Sequence, residues 1–242
     1  MFVYGALELA ITRPATRTER AEWLHRFAVR ALRTMGISYR VEGHFPKHGA
    51  LVSNHLGYLD VMTFAACGRV VFVSMIELSK VPLLGWMTTM SGTIYVERGR
   101  GGSADRARAG LESAAEEGLP VVFFPEGNTT NGTTVLPFRS GILAKFLEVG
   151  EPVTAAHVKY RFIEDNGPGM TIEDDVCYWG EDVELFSHMF RLLAARGIEV
   201  SVKIADAPIA FSVNHEHRKI AAEEARAAVM ELGGVVDAVT AG

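Results

Sequence analysis

The sequence predicts an α/β fold: a single mixed, largely parallel sheet flanked by helices, with an N-terminal amphipathic helical segment. Short apolar stretches alternate with segments of helical periodicity, which is the pattern of a sheet with helical connections. Residues 119–124 are apolar almost throughout, as expected of a strand that is buried on both faces. With 242 residues, 48% of them hydrophobic, the chain is long enough to build one full core.

The first 40 residues differ from the rest in charge, and we divide the chain there, with one domain predicted over residues 41–242. They hold seven arginines and three glutamates, a net charge of +4; the whole chain carries −5, so the remainder carries −9. Thr16 and Glu19 have the spacing of a capping box and predict the start of a helix. Its apolar residues recur at helical spacing and arginines line another face: Trp23, Leu24, Phe27, Ala28, Ala31, Leu32 and Met35 against Arg26, Arg30 and Arg33.

Two interpretations of this basic helix are open. It can lie in the headgroup layer of an anionic membrane, or it can pack its apolar stripe on the core. No segment reaches the ~18 uncharged apolar residues of a spanning helix, so we expect peripheral attachment to the cytoplasmic face of the cell membrane. Cys67 and Cys177 lie in apolar stretches and form neither a disulfide framework nor a metal-ligand spacing, which fits a reducing compartment.

The remaining elements follow from apolar periodicity and loop composition. A helix is expected to begin after Asp60, and loops rich in Gly, Thr and Asn are expected at 99–102 and 128–134. The predicted strands are 50–54, 70–74, 93–96, 119–124, 153–158, 172–179 and 199–204, and the other predicted helices are 103–117, 141–149, 185–195 and 216–232.

The most informative residues are His55 and Asp60, five positions apart, where the strand at 50–54 gives way to a helix. The carboxyl end of a strand is where open α/β sheets bind their ligands. The spacing lets the Asp60 carboxylate contact one imidazole nitrogen of His55, which would fix the tautomer and leave the other nitrogen as a base. Asp60 could also serve simply as a helix cap, and the pair alone does not decide between these roles.

Three further segments contain residues suited to ligand binding. Residues 92–98 are a strand that ends in Arg98, which can fork onto a phosphate or carboxylate or can form an ordinary surface ion pair. Residues 123–130 run from an apolar strand into a polar loop that includes Asn128 and Thr129 and whose amides can hold an anion, while Glu126 can hold a hydroxyl. Residues 152–156 are a strand that either lines an acyl pocket or is plain core.

In this order and spacing the four segments resemble the glycerolipid acyltransferase family, which includes the 1-acylglycerol-3-phosphate acyltransferases. The resemblance covers roughly residues 50–155 and rests chiefly on His55 with Asp60 and on Phe124-Pro125-Glu126-Gly127. It implies that His55 is the general base and that Asp60 orients it.

The same resemblance assigns the acyl acceptor to Arg98, Glu126 and Gly127, and we extend the expected binding site to Asn128 and Thr129 in the same loop. Arg139 matches a further basic position of the family. These side chains are therefore the expected substrate-binding residues.

The function implied by the resemblance is transfer of a fatty acyl group from acyl-CoA or acyl-carrier protein to the hydroxyl of a lyso-lipid, in membrane lipid synthesis or remodelling. The chemistry agrees, because an alcohol can attack a thioester directly when a base and an oxyanion site are present. The sequence contains no G-x-S-x-G nucleophile elbow. We expect no metal, no cofactor besides the acyl donor, and no nucleic-acid partner.

Two departures from the family pattern concern the acceptor. Met75 and Thr129 stand where phosphatidate-forming relatives place a lysine and an arginine. A phosphomonoester acceptor is therefore disfavoured unless Lys80 or Lys145 replaces these cations. We expect a lysophospholipid with a phosphodiester head group, or a lyso-aminolipid.

Other classes of protein remain as alternatives. A lipid thioesterase or hydrolase could activate water with the same pair, and a catalytically silent lipid-binding protein could share the fold. A nucleotide-binding oxidoreductase is suggested weakly by the G-x-G-x-x-A pattern at residues 99–104, because Glu97 and Arg98 interrupt the apolar strand that this fingerprint needs.

Overall fold

The structure, a computed structural model, describes residues 2–81, 84–96, 103–178, 180 and 183–235. Within them a seven-stranded mixed sheet has the order β1-β7-β6-β2-β5-β3-β4. Strands β6, β2, β5, β3 and β4 run parallel, whereas β7 is antiparallel to β6 and β1 is parallel to β7. The predicted mixed, largely parallel sheet is confirmed. The strands are β1 (Ser38–Glu42), β2 (Ala50–Ser53), β3 (Val71–Met75), β4 (Ile94–Val96), β5 (Val121–Phe123), β6 (Val153–Phe162) and β7 (Ile198–Ile204).

Helices cover both faces of this sheet. The described helices are α1 (Phe2–Thr12), α2 (Arg17–Thr34), α3 (Tyr58–Cys67), α4 (Leu84–Met90), α5 (Ser103–Glu116), α6 (Ser140–Val149), α7 (Ile172–Asp175), α8 (Leu185–Ala194) and α9 (Arg218–Gly233). One core lies between the sheet and α2, α3 and α8, and includes Phe27, Phe64 and Leu192. The other lies between the sheet and α5, α6 and α9, and includes Leu111 and Val229.

Helix α2 begins and packs as its sequence indicates. The hydroxyl of Thr16 accepts a hydrogen bond from the Glu19 amide at 3.1 Å, and the Glu19 carboxylate accepts one from the Thr16 amide at 3.2 Å, so the capping box is present. The apolar stripe, including Trp23 and Phe27, is buried in the core. Of the two interpretations, packing on the core holds for α2. The division of the chain at residue 40 stays a prediction.

One predicted element is wrong. Residues 172–179 were expected to form a strand, but the described part of this segment is the short helix α7 followed by a turn. The hydroxyl of Thr171 accepts a hydrogen bond from the Asp174 amide at 3.1 Å, and the Asp175 carboxylate accepts one from the Thr171 amide at 2.8 Å. This capping favours a helix start, and β7, not this segment, is the antiparallel neighbour of β6.

Candidate active site

His55 and Asp60 lie at the carboxyl end of β2. Strand β2 ends at Ser53, and α3 starts at Tyr58 with Gly57 as its N-cap. The Asp60 Oδ2 atom lies 2.7 Å from Nδ1 of His55, and it also accepts hydrogen bonds from the amides of Leu56 at 2.6 Å and Gly57 at 3.1 Å. Asp60 therefore caps the helix and contacts the imidazole with one oxygen atom, so the two roles weighed from the sequence are compatible.

This contact decides which imidazole nitrogen is available. Because a carboxylate oxygen is an acceptor, Nδ1 of the neutral ring carries the hydrogen and Nε2 has the lone pair. No described residue forms a hydrogen bond with Nε2. The Asp60 side chain is fully buried, whereas that of His55 is 20% exposed, so the imidazole is accessible from outside and the carboxylate is not.

Phe124, directly after β5, packs against the catalytic candidate. Its ring stacks on the His55 ring with 4.0 Å between centroids and 8° between planes. Phe64 of α3 packs in turn against Phe124. One face of the imidazole is thus covered by an apolar ring, which excludes water from that face.

Glu126 faces into the protein. One carboxylate oxygen accepts a hydrogen bond from the His55 amide at 2.7 Å, and the other accepts one from the Leu136 amide at 2.7 Å. Burial raises the pKa of Glu126 to about 7, although the two amide hydrogen bonds oppose this shift. The resemblance assigned Glu126 to the acceptor, but in the structure both oxygens are occupied by the backbone, and the residue fixes the position of His55.

The loop after Glu126 holds His55 at a second point. The Thr130 amide donates to the His55 carbonyl at 2.9 Å, so both backbone polar groups of His55 are bound by residues 126–130. Gly127 has φ of +69°, and a Cβ atom there would lie 2.6 Å from Nε of Arg139. Glycine is therefore required at a residue on which the arginine side chain packs.

The other expected binding residues differ in how they are placed. Arg139 is exposed and packs on Gly127, with Asn128 exposed and Thr129 half-buried in the same loop. Their roles in substrate binding stay predictions. Arg98 lies outside the described residues. Residues 153–156 are buried in the two cores, which fits plain core rather than an acyl pocket.

Within the described residues, neither lysine named as a possible replacement cation forms a hydrogen bond or ion pair with His55, Asp60 or Glu126. Lys145 forms an ion pair with Glu148 at 2.7 Å, and Lys80 is exposed at the end of the 3₁₀ turn Ile76–Lys80. Within the described chain, no group of His, Cys, Asp and Glu side chains could hold a metal ion. The absence of a metal requirement stays a prediction.

Two residues at the site were not found from the sequence. The Asn54 side chain hydrogen-bonds both backbone groups of Val158 in β6, at 3.0 and 2.8 Å. The hydroxyl of Tyr160, also in β6, donates to Oδ1 of Asp60. Asn54 adjoins His55 in the sequence and could have been suspected for that reason, but Tyr160 is 100 residues from its partner and nothing in the local pattern indicates the contact.

The structure thus places a histidine–carboxylate pair at the carboxyl edge of a mixed sheet, with the histidine backbone held by the Pro-Glu-Gly loop. The family model described as acyltransferase matches residues 37–159, just over half of the sequence. The chain therefore belongs to the acyltransferase family.

Curated relatives are similar over a substantial part of the chain. The lyso-ornithine lipid O-acyltransferase of Rhodobacter capsulatus is 35% identical over 169 residues, 66% of this chain and 57% of the relative. That of Pseudomonas aeruginosa is 32% identical, over 75% of this chain and 66% of the relative. The 1-acyl-sn-glycerol-3-phosphate acyltransferase of Neisseria gonorrhoeae is 29% identical, over 54% and 52%. The chain spans between half and two thirds of the length of these relatives.

A solved structure shares the fold. The crystal structure of the 1-acyl-sn-glycerophosphate acyltransferase from Thermotoga maritima superposes with a TM-score of 0.59, at 20% identity, and covers 91% of this chain and 83% of that one. The likeness concerns the arrangement of the sheet and helices.

Proposed function

We propose that the protein transfers a fatty acyl group from an acyl-CoA or acyl-carrier-protein thioester to the hydroxyl of a lyso-lipid, with His55 as the general base. The observation that carries this proposal is the buried Asp60 carboxylate bound to Nδ1 of His55, which leaves the lone pair of Nε2 at the open side of the ring. Family membership and the acyl-transfer activities named for the relatives support it.

The reaction needs no nucleophile from the protein. Nε2 of His55 takes the proton from the acceptor hydroxyl as its oxygen bonds to the thioester carbonyl carbon. The tetrahedral intermediate then collapses, the C–S bond breaks, and the imidazolium returns the proton to the leaving thiolate. Asp60 stabilises the imidazolium during this cycle because its negative charge lies against Nδ1.

For the acceptor we propose a lyso-aminolipid, specifically a lyso-ornithine lipid. Relatives with the name lyso-ornithine lipid O-acyltransferase reach 35% identity. An ornithine head group has one carboxylate and one ammonium, whereas a phosphomonoester carries close to two negative charges. Met75 and Thr129 provide no cation where phosphatidate-forming relatives have two, and this favours the less anionic head group.

We also propose peripheral attachment to the cytoplasmic face of the membrane, through α1 rather than α2. Val3, Tyr4, Leu7 and Ile11 recur on one side of α1 and are 58–80% exposed. Leu9, on the opposite side of α1, is fully buried in the core, and the Glu8 carboxylate pairs with Arg30 and Arg26 of α2. These contacts hold α1 with its exposed apolar side outward. Among the described helices none is both long and apolar enough to cross a bilayer.

The test of the proposed reaction is an acyl-transfer assay with acyl-CoA and acyl-carrier-protein donors, with and without lyso-ornithine lipid. We expect a diacylated product, and thiol release that depends on the acceptor. Thiol release of equal rate without acceptor would indicate a thioesterase instead. Activity should survive exhaustive chelation; loss that zinc or magnesium restores would contradict the proposed metal-free chemistry.

A further inference from the structure

Strand β6 extends beyond the strand it pairs with and reaches the acid–base pair. The register of β2 and β6 ends at Ser53 opposite Ala156. Beyond this point the Asn54 side chain, in place of a strand backbone, hydrogen-bonds the amide and the carbonyl of Val158. Tyr160 follows two residues later and therefore points to the same face of the sheet, where its hydroxyl donates to Asp60.

The Asp60 carboxylate depends on this contact for its second oxygen. Oδ2 is bound by His55 and by two backbone amides, and Tyr160 binds Oδ1. Both side chains are buried, with 0% of Asp60 and 3% of Tyr160 exposed. Burying a carboxylate costs free energy unless its oxygen atoms are hydrogen-bonded. The hydrogen bond from the phenol offsets this cost at Oδ1.

Tyr160 is suited to remain a donor. Burial, followed by the Asp60 charge, raises the pKa of its phenol far above the ordinary value. The hydroxyl therefore keeps its proton at every pH at which the enzyme would work. Each hydrogen bond to a carboxylate disperses part of its charge, so the charge that faces Nδ1 of His55 depends on what Oδ1 receives.

We infer that Tyr160 is a positioning residue that, through Asp60, sets the orientation and the base strength of His55. This inference rests on the proposed function only in taking His55 as the base. The phenol limits the negative charge of Asp60 that acts on the imidazole, and it fixes the carboxylate plane against β6.

The direct test is Tyr160→Phe, which removes the hydroxyl and keeps the ring. With Oδ1 unbound, more charge faces the imidazole, so the pKa of His55 should rise by about 0.5 or more. The acidic limb of the kcat/KM profile should move upward by the same amount. Loss of one charge-assisted hydrogen bond to Asp60 should lower kcat about five- to fifty-fold, with KM for the acyl donor unchanged.

A second variant and a matched control separate this role from general stability. Incorporation of 3-fluorotyrosine at position 160 makes the phenol a stronger donor in the same volume, so the pKa of His55 should fall. Tyr39→Phe removes a hydroxyl that donates to the Ala66 carbonyl at 3.2 Å, away from the site, and should change neither the pKa nor kcat.

The His55 pKa is measured by NMR titration in all these proteins, which needs no enzymatic activity. An unshifted His55 pKa in Tyr160→Phe, or a shift in the same direction for both Tyr160 replacements, would overturn the inference even if the variant were less stable. Failure of the wild-type protein to transfer an acyl group would contradict the proposed function instead, while the titration would still decide the role of Tyr160.

Discussion

At the scale of single residues, the proposed acid–base role of His55 leads to the sharpest prediction. His55→Ala should lower turnover by ~10²–10⁴, because the proposed general base is removed. The fold should stay intact, because the imidazole is partly exposed. Asp60→Asn should also cost activity heavily, because an amide cannot stabilise the imidazolium with a negative charge. Steady-state acyl transfer and circular dichroism measure the two properties.

The control for these variants is His44→Ala, which removes an exposed histidine outside the site and should retain wild-type turnover. If folded His55→Ala retained more than a tenth of that turnover, His55 would not be the base.

Glu126 gives a prediction about pH, because its pKa of about 7 lies above the ordinary value of 4.5. The folded protein then holds the Glu126 proton more tightly than the unfolded chain. Its contribution to the free energy of unfolding is therefore full below pH 4.5 and is lost as pH rises through 7, by at most about 3 kcal/mol. Glu126→Gln removes this titration. The free energy of unfolding of the wild type, measured in urea, minus that of the variant should therefore decrease between pH 5 and 7.5.

Glu148→Gln is the control for this measurement. Lys145 lowers the pKa of the exposed Glu148, so its stabilising contribution is lost as pH falls through that lowered pKa, below the pH range of the test. The corresponding difference should be flat from pH 5 to 7.5. A flat difference for Glu126→Gln as well would mean that the two amides keep its carboxylate ionised throughout.

At the scale of elements, the sequence predicts those helices and strands whose apolar periodicity or capping residues are local. The capping box and stripe of α2, the β2–α3 junction and the apolar β5 all lie where they were expected. Strand β1 was missed because it is an edge strand whose five residues are all exposed, so no alternation of buried and exposed positions indicates it. The predicted strand at 172–179 was wrong. Strand β7 already pairs with β6, and Thr171 caps a short helix in the segment instead.

The site was predictable to the same extent and for the same reason. His55 and Asp60 are neighbours along the chain, so their spacing indicates their contact. The contacts of Tyr160 with Asp60 and of Glu126 with the His55 amide depend on strand order and on where β6 ends, which no local pattern specifies.

The exposed side of α1 leads to a prediction for this element. Leu7→Glu with Ile11→Glu should weaken binding to anionic liposomes, because burying each of these side chains in the interface is worth about 1.5–3 kcal/mol, or at least tenfold in affinity. Flotation of the protein with liposomes of rising anionic content measures this binding.

Ile220→Glu is the matched control, because Ile220 is an exposed apolar residue on α9, which packs on the other face of the sheet. It should float as the wild type does. Equal flotation of the α1 double variant and the wild type would mean that α1 is not the membrane contact.

At the scale of the whole molecule, we expect the balance of charge around the proposed acceptor site to decide which lipid is used. A phosphomonoester with nearly two negative charges needs several cationic or amide donors in a partly dehydrated site. Arg139 is placed beside the loop, whereas Met75 and Thr129 supply no cation. Each missing charge-assisted hydrogen bond costs about 1.5–3 kcal/mol, or one to two decades of affinity.

In competition between equal concentrations of lyso-ornithine lipid, lysophosphatidylethanolamine and lysophosphatidic acid, we therefore expect lysophosphatidic acid to be the poorest acceptor. Adding the missing cations with Met75→Lys and Thr129→Arg should raise its share of the product by about tenfold or more. Thr133→Arg adds one charge at an exposed position of the same loop and should not change the ratio, which separates a local contact from a general gain of positive charge. If the wild-type protein preferred lysophosphatidic acid, other cations must hold the phosphate; the substrate assignment would then fail, while the assignment of His55 and Asp60 would stand.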